Sequence, residues 1–160
     1  MIFASVGQMM PFDRMVRLVD EWAACNPQQE IVAQVGEGEY QPKHIQAVKF
    51  LSSSEFRRHI EVADAVVSHA GTGNIFAALE QRTRVLIFPR SKELQEVTND
   101  HQMATARYFG QQGSVRVAFD EREFAQEMES LLTRPQPAAL DPFASPALLG
   151  RLRAFLLGGR

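Results

Sequence analysis

One segment near the middle of the chain, residues 66–75, constrains the fold more than any other. It reads VVSHAGTGNI: an apolar stretch ends in a turn of small residues and continues into a helical pattern. Glycines at a strand–helix junction let backbone N–H groups approach an anion closely, and the positive end of the helix dipole adds to the attraction. The segment therefore predicts a βα unit of a parallel sheet, with an anion site at the strand end.

Short apolar runs alternate with helical patterns along the rest of the chain, which is typical of a parallel sheet covered by helices. The predicted strands are residues 2–6, 31–35, 47–50, 65–68, 85–88 and 115–117. The predicted helices are residues 12–24, a segment capped by Ser53 or Ser54 that ends at Ile60, and residues 74–81, 100–109 and 121–132. We predict one Rossmann-like, three-layer α/β domain with about six parallel strands. Its ligand crevice should lie at the carboxyl ends of the strands, where the strand order reverses.

The composition changes after residue 134, where prolines at 135, 137, 142 and 146 interrupt an alanine-rich stretch. We therefore predict a Rossmann-like domain over residues 1–134, a proline-rich linker over 135–145 and an amphipathic helix over 146–160. That helix repeats apolar residues at helical spacing, namely Leu148, Leu149, Leu152, Phe155 and Leu156. The sequence leaves two possibilities open: the helix folds back on its own sheet, or it docks onto a partner protein.

Composition argues against several classes of function. The formal charge of −2 and the lack of a basic run argue against a nucleic-acid surface. The single cysteine, Cys25, lies in a predicted amphipathic helix, so we expect a buried structural thiol and no disulfide or zinc site. The four histidines lack metal-ligand spacing, and we expect no metal. Without a charged leader or an apolar segment of about 20 residues, the chain is expected to be cytoplasmic.

The glycine pattern also argues against a nicotinamide or flavin cofactor. The turn after the first strand contains only Gly7, whereas a dinucleotide fingerprint needs a glycine triad there and an acidic residue after the second strand. The turn after residue 68 is not a P-loop either, because Asn74 stands where a lysine is required. We expect no cofactor.

Polar residues follow two strands that should end at one cleft. Arg90 follows the fifth strand, and the cluster NDHQ at 99–102 opens a helix beyond it. A phosphate cradle followed by a hydroxyl-binding cluster suits a nucleotide-sugar better than a dinucleotide. Each feature also has a simpler interpretation: a turn that binds nothing, or a cluster that only caps a helix. His69 either polarises a phosphate, acts as a base or merely binds loop backbone.

The segments MIFASVGQMMPFDRMV, SHAGTGNIFAALE, FPR and NDHQ occur in an order and spacing that resemble a known family. They resemble the C-terminal, donor-binding domain of family 28 of the GT-B glycosyltransferases. The resemblance is strongest to free-standing catalytic subunits of two-component UDP-sugar transferases. These include bacterial exopolysaccharide and capsule transferases for glucuronic acid, galactose or GlcNAc, and the eukaryotic UDP-GlcNAc:dolichyl-pyrophosphate transferase.

The resemblance implies a role for each matching position. The residues implied in holding UDP are Gly7, Gly71, Thr72, Gly73, Asn74 and Arg90. Those implied in binding the donor sugar are Asp100, His101 and Gln102, and His69 is the candidate catalytic residue. Two positions depart from the family pattern: Ala77 replaces a ribose-binding glutamate, and Gln8 replaces a small hydroxyl residue. Glu80, one helical turn after Ala77, either substitutes as the ribose ligand or faces solvent.

The resemblance also implies how such a chain works. A GT-B enzyme needs two Rossmann-like halves, and 160 residues suffice for one. A membrane-associated subunit would supply the acceptor site, and the chain would be peripheral to the inner face of the membrane. The implied reaction is an inverting, metal-free transfer of a hexosyl group from a UDP-sugar to a lipid-linked saccharide acceptor in exopolysaccharide or capsule synthesis. The alternative is a nucleotide-binding, non-catalytic interaction subunit, which the alanine at position 77 favours. A second enzyme alternative is one half of a UDP-sugar epimerase. The chain length argues against it, because those enzymes are single chains of two domains.

Overall fold

The fold is described from a computed structural model, which covers residues 1–138, 140 and 144–158. Strands and helices alternate along most of this part of the chain. In chain order the elements are β1 (Ile2–Ser5), α1 (Asp13–Cys25), β2 (Ile31–Gln34), β3 (Gln46–Val48), α2 (Ser53–Val62), β4 (Ala65–Ser68), α3 (Thr72–Glu80), β5 (Arg84–Ile87), α4 (His101–Gln112), β6 (Arg116–Val117), α5 (Glu121–Leu131) and α6 (Pro146–Leu156).

The six strands form one parallel sheet in the order β3-β2-β1-β4-β5-β6. The chain builds outward from β1 to β3, returns to the middle and builds outward again from β4 to β6. The strand order therefore reverses between β1 and β4, where Ser5 and Ser68 are register partners at the carboxyl ends. The predicted Rossmann-like α/β fold with about six strands is confirmed.

Two apolar layers hold the helices against the sheet. On one face, Phe12 of the loop before α1 stacks on Phe88, which in turn contacts Phe124 of α5 at ring-centroid distances of 5.8 and 5.0 Å. On the other face, Ile60 and Ile75 of α2 and α3 pack against a second cluster around β4 and β5. Residues of β1, β2 and β4 are buried on both faces. The packing of helices on both faces of the sheet fixes the positions of the strand ends that carry the polar residues.

Several predicted boundaries differ from the structure. Helix α2 is capped by Ser52, whose side chain accepts from the Glu55 N–H while the Glu55 carboxylate accepts from the Ser52 N–H. This capping box, rather than Ser53 or Ser54, sets the helix start. Helix α4 continues through Gly110 and ends at Gly113, which has the left-handed backbone (φ 70°) of a helix C-cap. A Cβ at Gly110 would lie 3.1 Å from a methyl of Val117, so this glycine allows close packing on β6.

The prediction of a buried Cys25 is wrong, because the thiol is exposed at the last residue of α1. Buried residues of α1 such as Met15, Val19 and Ala23 recur every four residues and form one stripe. Cys25 is two residues beyond Ala23, which places it about 200° around the helix from that stripe. The thiol therefore faces solvent.

The C-terminal helix is formed, but it does not fold back into the core. Helix α6 spans Pro146–Leu156, and none of its residues is buried. The predicted linker is described in part, since residues 139 and 141–143 lie outside the described residues, as do residues 159–160 of the predicted helix. Among the helices described, none combines the length and apolar character needed to cross a membrane.

Candidate functional site

The predicted anion turn lies where the strand order reverses. Asn74, in the first turn of α3, donates from its amide to the Ser5 hydroxyl (3.2 Å) and the Ser68 hydroxyl (2.8 Å). These bonds attach α3 to the ends of β1 and β4. The side-chain nitrogen of Asn74 is therefore used within the protein and not left for a ligand. Ser5 and Ser68 were not predicted as site residues. Their signal is that each is a small polar residue closing a buried apolar strand.

The N-terminus of α3 presents backbone donors without partners. Its N-cap, Gly71, offers no side chain to satisfy the first turn. Within the part of the chain that the structure describes, the N–H groups of Thr72, Gly73 and Asn74 find no acceptor, whereas that of Ile75 donates to the Gly71 carbonyl (3.1 Å). Free N–H groups at the positive end of a nine-residue helix are suited to bind an anion.

His69 lies between the two glycine loops. A Cβ at Gly71 would come within 2.3 Å of the imidazole Nε2, and one at Gly7 within 2.6 Å of Cε1. Gly7 also has a positive φ of 82°, which L-residues rarely adopt. These two glycines therefore make room for an imidazole ring, a requirement that exists before any ligand binds. On the sequence alone, both glycines are explained by the close approach of an anion.

The surroundings of His69 favour its neutral form. Burial, helped by the positive charge of Arg90, lowers the pKa of His69 to about 4, although a bond from its Nδ1 to the Ser5 carbonyl (3.4 Å) opposes the shift. An imidazole with this pKa is a weak general base at neutral pH. The interaction with the Ser5 carbonyl instead suits a ring that holds the two loops in place.

The low pKa of His69 makes a measurable contribution to the pH dependence of stability. An unfolded histidine has a pKa of about 6.5, so below that pH the unfolded chain takes up a proton that the native chain does not. Native stability should therefore fall between pH 6.5 and 4, by ~3 kcal/mol from this group, with no contribution above about pH 7.5. The measurement is urea unfolding from pH 4 to 8 for the wild type and His69→Asn, which lacks this titration.

Carboxylates titrate in the same pH range in both proteins, so their contribution cancels in the difference between the two unfolding free energies. The remaining pH dependence reports on His69. A wild-type-minus-His69→Asn difference that stays constant with pH would show that the native imidazole is not desolvated.

Arg90 lines the more apolar of the two cavities described below, and it also makes buried contacts that the sequence did not predict. The residue is only 3% exposed, and its guanidinium donates to the carbonyls of Val6 (2.8 Å), Met10 (2.5 Å) and Pro11 in the loop between β1 and α1. Burial lowers the pKa of Arg90 to about 10, so the group remains charged at neutral pH. Arg90 thus holds the loop that carries Gly7, and its role in lining a nucleotide cleft stays a prediction.

A second arginine completes this attachment. Arg14 donates from Nε and Nη2 to the two carboxylate oxygens of Glu96, at 2.7 and 2.8 Å. The Glu96 carboxylate also accepts from the Ser91 N–H (2.8 Å). The loop between β5 and α4 is therefore fixed to the start of α1, next to the loop that Arg90 holds.

The three predicted sugar-binding residues are separated by the structure. Gln102 is buried, and its side-chain oxygen accepts from the Arg90 N–H (3.2 Å). His101 is exposed, and its N–H donates to the Asn99 side chain (3.1 Å), which also contacts its ring. Asp100 is exposed and makes no capping bond. Asn99, rather than Asp100, therefore satisfies the start of α4.

Two cavities meet at His69 and Gly71. One, of ≈ 460 Å³, is mostly apolar and has His101 and Gln102 among its lining residues. The other, of ≈ 360 Å³, lies between α2 and α3, where Arg57 and Ala77 line it. Gln8 reaches both. The pair forms a two-sided cleft around the free N–H groups of α3.

Several predicted residues do not enter this cleft, and some unpredicted ones do. Glu80 is exposed at the far end of α3, and neither it nor Asp100 lines either of these two cavities. No carboxylate of the described residues lines either cavity. Gln34 was missed: its amide bridges the Gly7 carbonyl (3.1 Å) and the Leu51 N–H (3.1 Å). A polar residue at the end of an otherwise apolar strand was its only signal. Within the described ranges, no group of three or more potential metal ligands comes together.

Similar solved structures share the fold. A glycosyltransferase of kitacinnamycin has 20% identity and a TM-score of 0.59, over 99% of this chain and 38% of that one. The calicheamicin glycosyltransferase CalG4 has 17% identity and a TM-score of 0.60, over 99% and 39%. The solution structure of ALG13 has 18% identity and a TM-score of 0.61, over 94% and 93%. This chain thus spans about two fifths of the first two proteins and nearly all of the third.

Sequence comparison identifies the family. No curated protein sequence matches the chain. Residues 1–146, which include the whole sheet and the cleft, match the model of the glycosyltransferase family 28 C-terminal domain. The chain therefore belongs to the family of glycosyltransferase family 28 C-terminal domains.

Proposed function

We propose that this chain is the donor-binding catalytic subunit of an inverting glycosyltransferase. It moves a hexosyl group from a UDP-sugar to a lipid-linked saccharide acceptor in exopolysaccharide or capsule synthesis. The observation that carries the proposal is that the N–H groups of Thr72, Gly73 and Asn74 have no acceptor among the described residues and lie between two cavities at the strand-order reversal. A diphosphate with a group attached at each end fits such a site.

The proposed placement follows the individual residues that line the two cavities. The diphosphate lies at the N-terminus of α3, the nucleoside lies towards Ala77 and Arg57, and the donor sugar lies towards His101 and Gln102. In the reaction, an acceptor hydroxyl oxygen attacks the anomeric carbon and the bond from that carbon to the UDP oxygen breaks. Negative charge then develops on UDP, where fixed N–H groups and a helix dipole stabilise it. A base on the partner subunit, or at the interface with it, takes the hydroxyl proton in this proposal.

In this proposal the chain provides the donor-binding half of an enzyme whose other half binds the acceptor. Its similarity over nearly the full length of ALG13, and over about two fifths of larger glycosyltransferases, supports a free-standing donor domain. We propose that a membrane-associated subunit supplies the acceptor site and holds this chain at the inner face of the membrane. UDP-sugar is a substrate here, and no cofactor is needed.

A second candidate function has specific support. The ribose-facing position is occupied by Ala77, and His69 is a weak base, features that suit a subunit that binds nucleotide without turnover. This candidate shares the UDP site and differs in predicting no transfer.

Calorimetric titration with UDP, UMP and uridine tests the site. UDP should bind at least tenfold more tightly than UMP, because the helix N–H groups bind the outer phosphate. Gly71→Ala should weaken UDP binding at least tenfold and cost about 1–3 kcal/mol of stability, because the added methyl overlaps the His69 ring. In a His69→Ala background the same change should cost less, since the ring is absent.

The control is Gly150→Ala, where a Cβ meets nothing within 4 Å, and UDP affinity should not change. Equal affinities for UDP and UMP would contradict the diphosphate site. An undiminished loss of UDP affinity from Gly71→Ala in the His69→Ala background would show that the glycine acts on the ligand directly.

A further inference from the structure

Helix α6 is specified by its sequence, but none of its residues is buried within the described part of the chain. The Ser145 hydroxyl accepts from the Leu148 N–H (3.3 Å), and Pro146 occupies the first turn, so the helix start is well defined. Its apolar side chains are nevertheless exposed, including Phe155 (80%) and Leu156 (77%). An isolated helix of eleven residues with Gly150 inside it is marginal in water. Something else must cover it.

The apolar residues of α6 form one continuous stripe. At about 100° per residue, Leu148, Leu149, Leu152, Phe155 and Leu156 fall within an arc of roughly 120°. Arg151 lies about 40° outside one border of this arc, and Arg153 lies about 40° outside the other. An apolar stripe bordered by arginines on both sides is the pattern of a helix lying in a membrane interface.

Charge is distributed unevenly along the chain. Residues 144–160 contain three arginines and no acidic residue. Since the whole chain has 17 basic and 19 acidic residues, residues 1–143 contain 14 basic and 19 acidic ones. The C-terminal segment therefore carries +3 and the rest carries −5, which would orient the segment towards an anionic surface.

The position of α6 relative to the family domain also sets it apart. The match to the family model ends at residue 146, where α6 begins. The helix therefore lies beyond the residues that the family model matches, although two of the similar glycosyltransferase structures align over 99% of the chain. A second copy of the chain is a poor occupant, because two stripes in contact would bring arginines together with no acidic residue on either helix to pair them.

We propose that α6 binds directly to the surface of a bilayer containing anionic lipids. Its leucines and Phe155 enter the boundary between headgroups and acyl chains, and Arg151 and Arg153 extend to the headgroup phosphates. The inference goes beyond the proposed function, in which a partner subunit holds the chain at the membrane. It requires neither UDP binding nor that partner.

Co-sedimentation of the full chain with vesicles tests the proposal. Vesicles of phosphatidylcholine with 30% phosphatidylglycerol should bind the chain at least tenfold more tightly than pure phosphatidylcholine, and raising the salt to 0.5 M should weaken binding. Leu152→Ser with Phe155→Ser should abolish binding, and Arg151→Glu with Arg153→Glu should remove the preference for anionic vesicles. Leu94→Ser, at another exposed leucine, is the matched control and should bind as the wild type does.

UDP titration of each variant shows that the cleft is intact and separates this test from that of the proposed function. Vesicle binding that is unchanged in the Leu152→Ser, Phe155→Ser variant would overturn the proposal. So would a concentration-dependent dimer that this variant abolishes, since a second copy would then cover the stripe. Retention only on native membranes, lost after protease treatment of those membranes, would identify a protein as the occupant and overturn it too.

Discussion

Replacing Arg90 by methionine should lower the free energy of unfolding by about 3–5 kcal/mol, in the range found when one partner of a buried charged network is removed. The side chain would keep most of its volume but leave the carbonyls of Val6, Met10 and Pro11 without their donor. Each buried acceptor left unpaired costs about 1–3 kcal/mol, and shared relaxation prevents simple addition. Urea unfolding at pH 7.5 measures the change.

Two further variants test whether the buried guanidinium itself causes this loss of stability. Arg90→Lys should restore only part of the loss, because one ammonium cannot reproduce the planar fork that reaches several carbonyls. Arg58→Met, at an exposed arginine of α2, should change stability by less than about 0.5 kcal/mol. If Arg90→Met unfolded like the wild type but failed to bind UDP, the guanidinium would act on the nucleotide, as the sequence analysis implied.

The sheet was predictable because its signals are local. Each central strand is a short apolar run, and the turn at residues 69–73 lies where a strand passes into a helix. The handedness of crossovers fixes the face on which each connecting helix lies, whereas the reversal of strand order between β1 and β4 is an observation of the structure. The boundaries that failed depended on choices among equivalent neighbours: Ser52, Ser53 and Ser54 are alike in type, and only Ser52 is three residues before Glu55. Gly110 resembled a helix end, yet its role is close packing on β6.

The cleft was predictable as a location and only partly as a set of contacts. The sequence places Arg90 after a strand that ends at the cleft, which suggested a nucleotide ligand. It contains no sign that the guanidinium turns back to carbonyls about 80 residues earlier in the chain. In the same way, Gly7 and Gly71 were explained by ligand approach, whereas the His69 ring that lies between them is a neighbour created by the fold. Such roles arise from tertiary contacts, which periodicity does not encode.

These contacts suggest a common design for the cleft. Arg90 and the Arg14–Glu96 pair fix the two loops around it, and a neutral His69 separates the glycine turns. Asn74 attaches α3 to both central strands. The donors of the α3 N-terminus are thus held in place before a ligand arrives, which is the condition under which fixed dipoles stabilise developing charge without reorganisation.

The isolated chain should bind UDP yet transfer no sugar, and transfer should appear when membranes supply the other half. This expectation rests on the proposed function. One Rossmann-like half has no facing wall to position an acceptor, and positioning contributes roughly 7–11 kcal/mol towards lowering a barrier. The assay uses radiolabelled UDP-glucose, UDP-galactose, UDP-GlcNAc and UDP-glucuronic acid. Each is incubated with the purified chain alone and with membranes from cells that lack its gene.

One labelled donor should then enter the lipid fraction only when chain and membranes are combined. Gly71→Ala should reduce that incorporation, and Arg58→Met should not. Incorporation by the chain without membranes would overturn the two-subunit proposal, because it would require an acceptor site on this half. UDP binding without incorporation from any donor in the combined assay would instead favour the non-catalytic subunit. A diphosphate site built as described would then serve recognition, with the stabilising N–H groups present and no acceptor brought to use them.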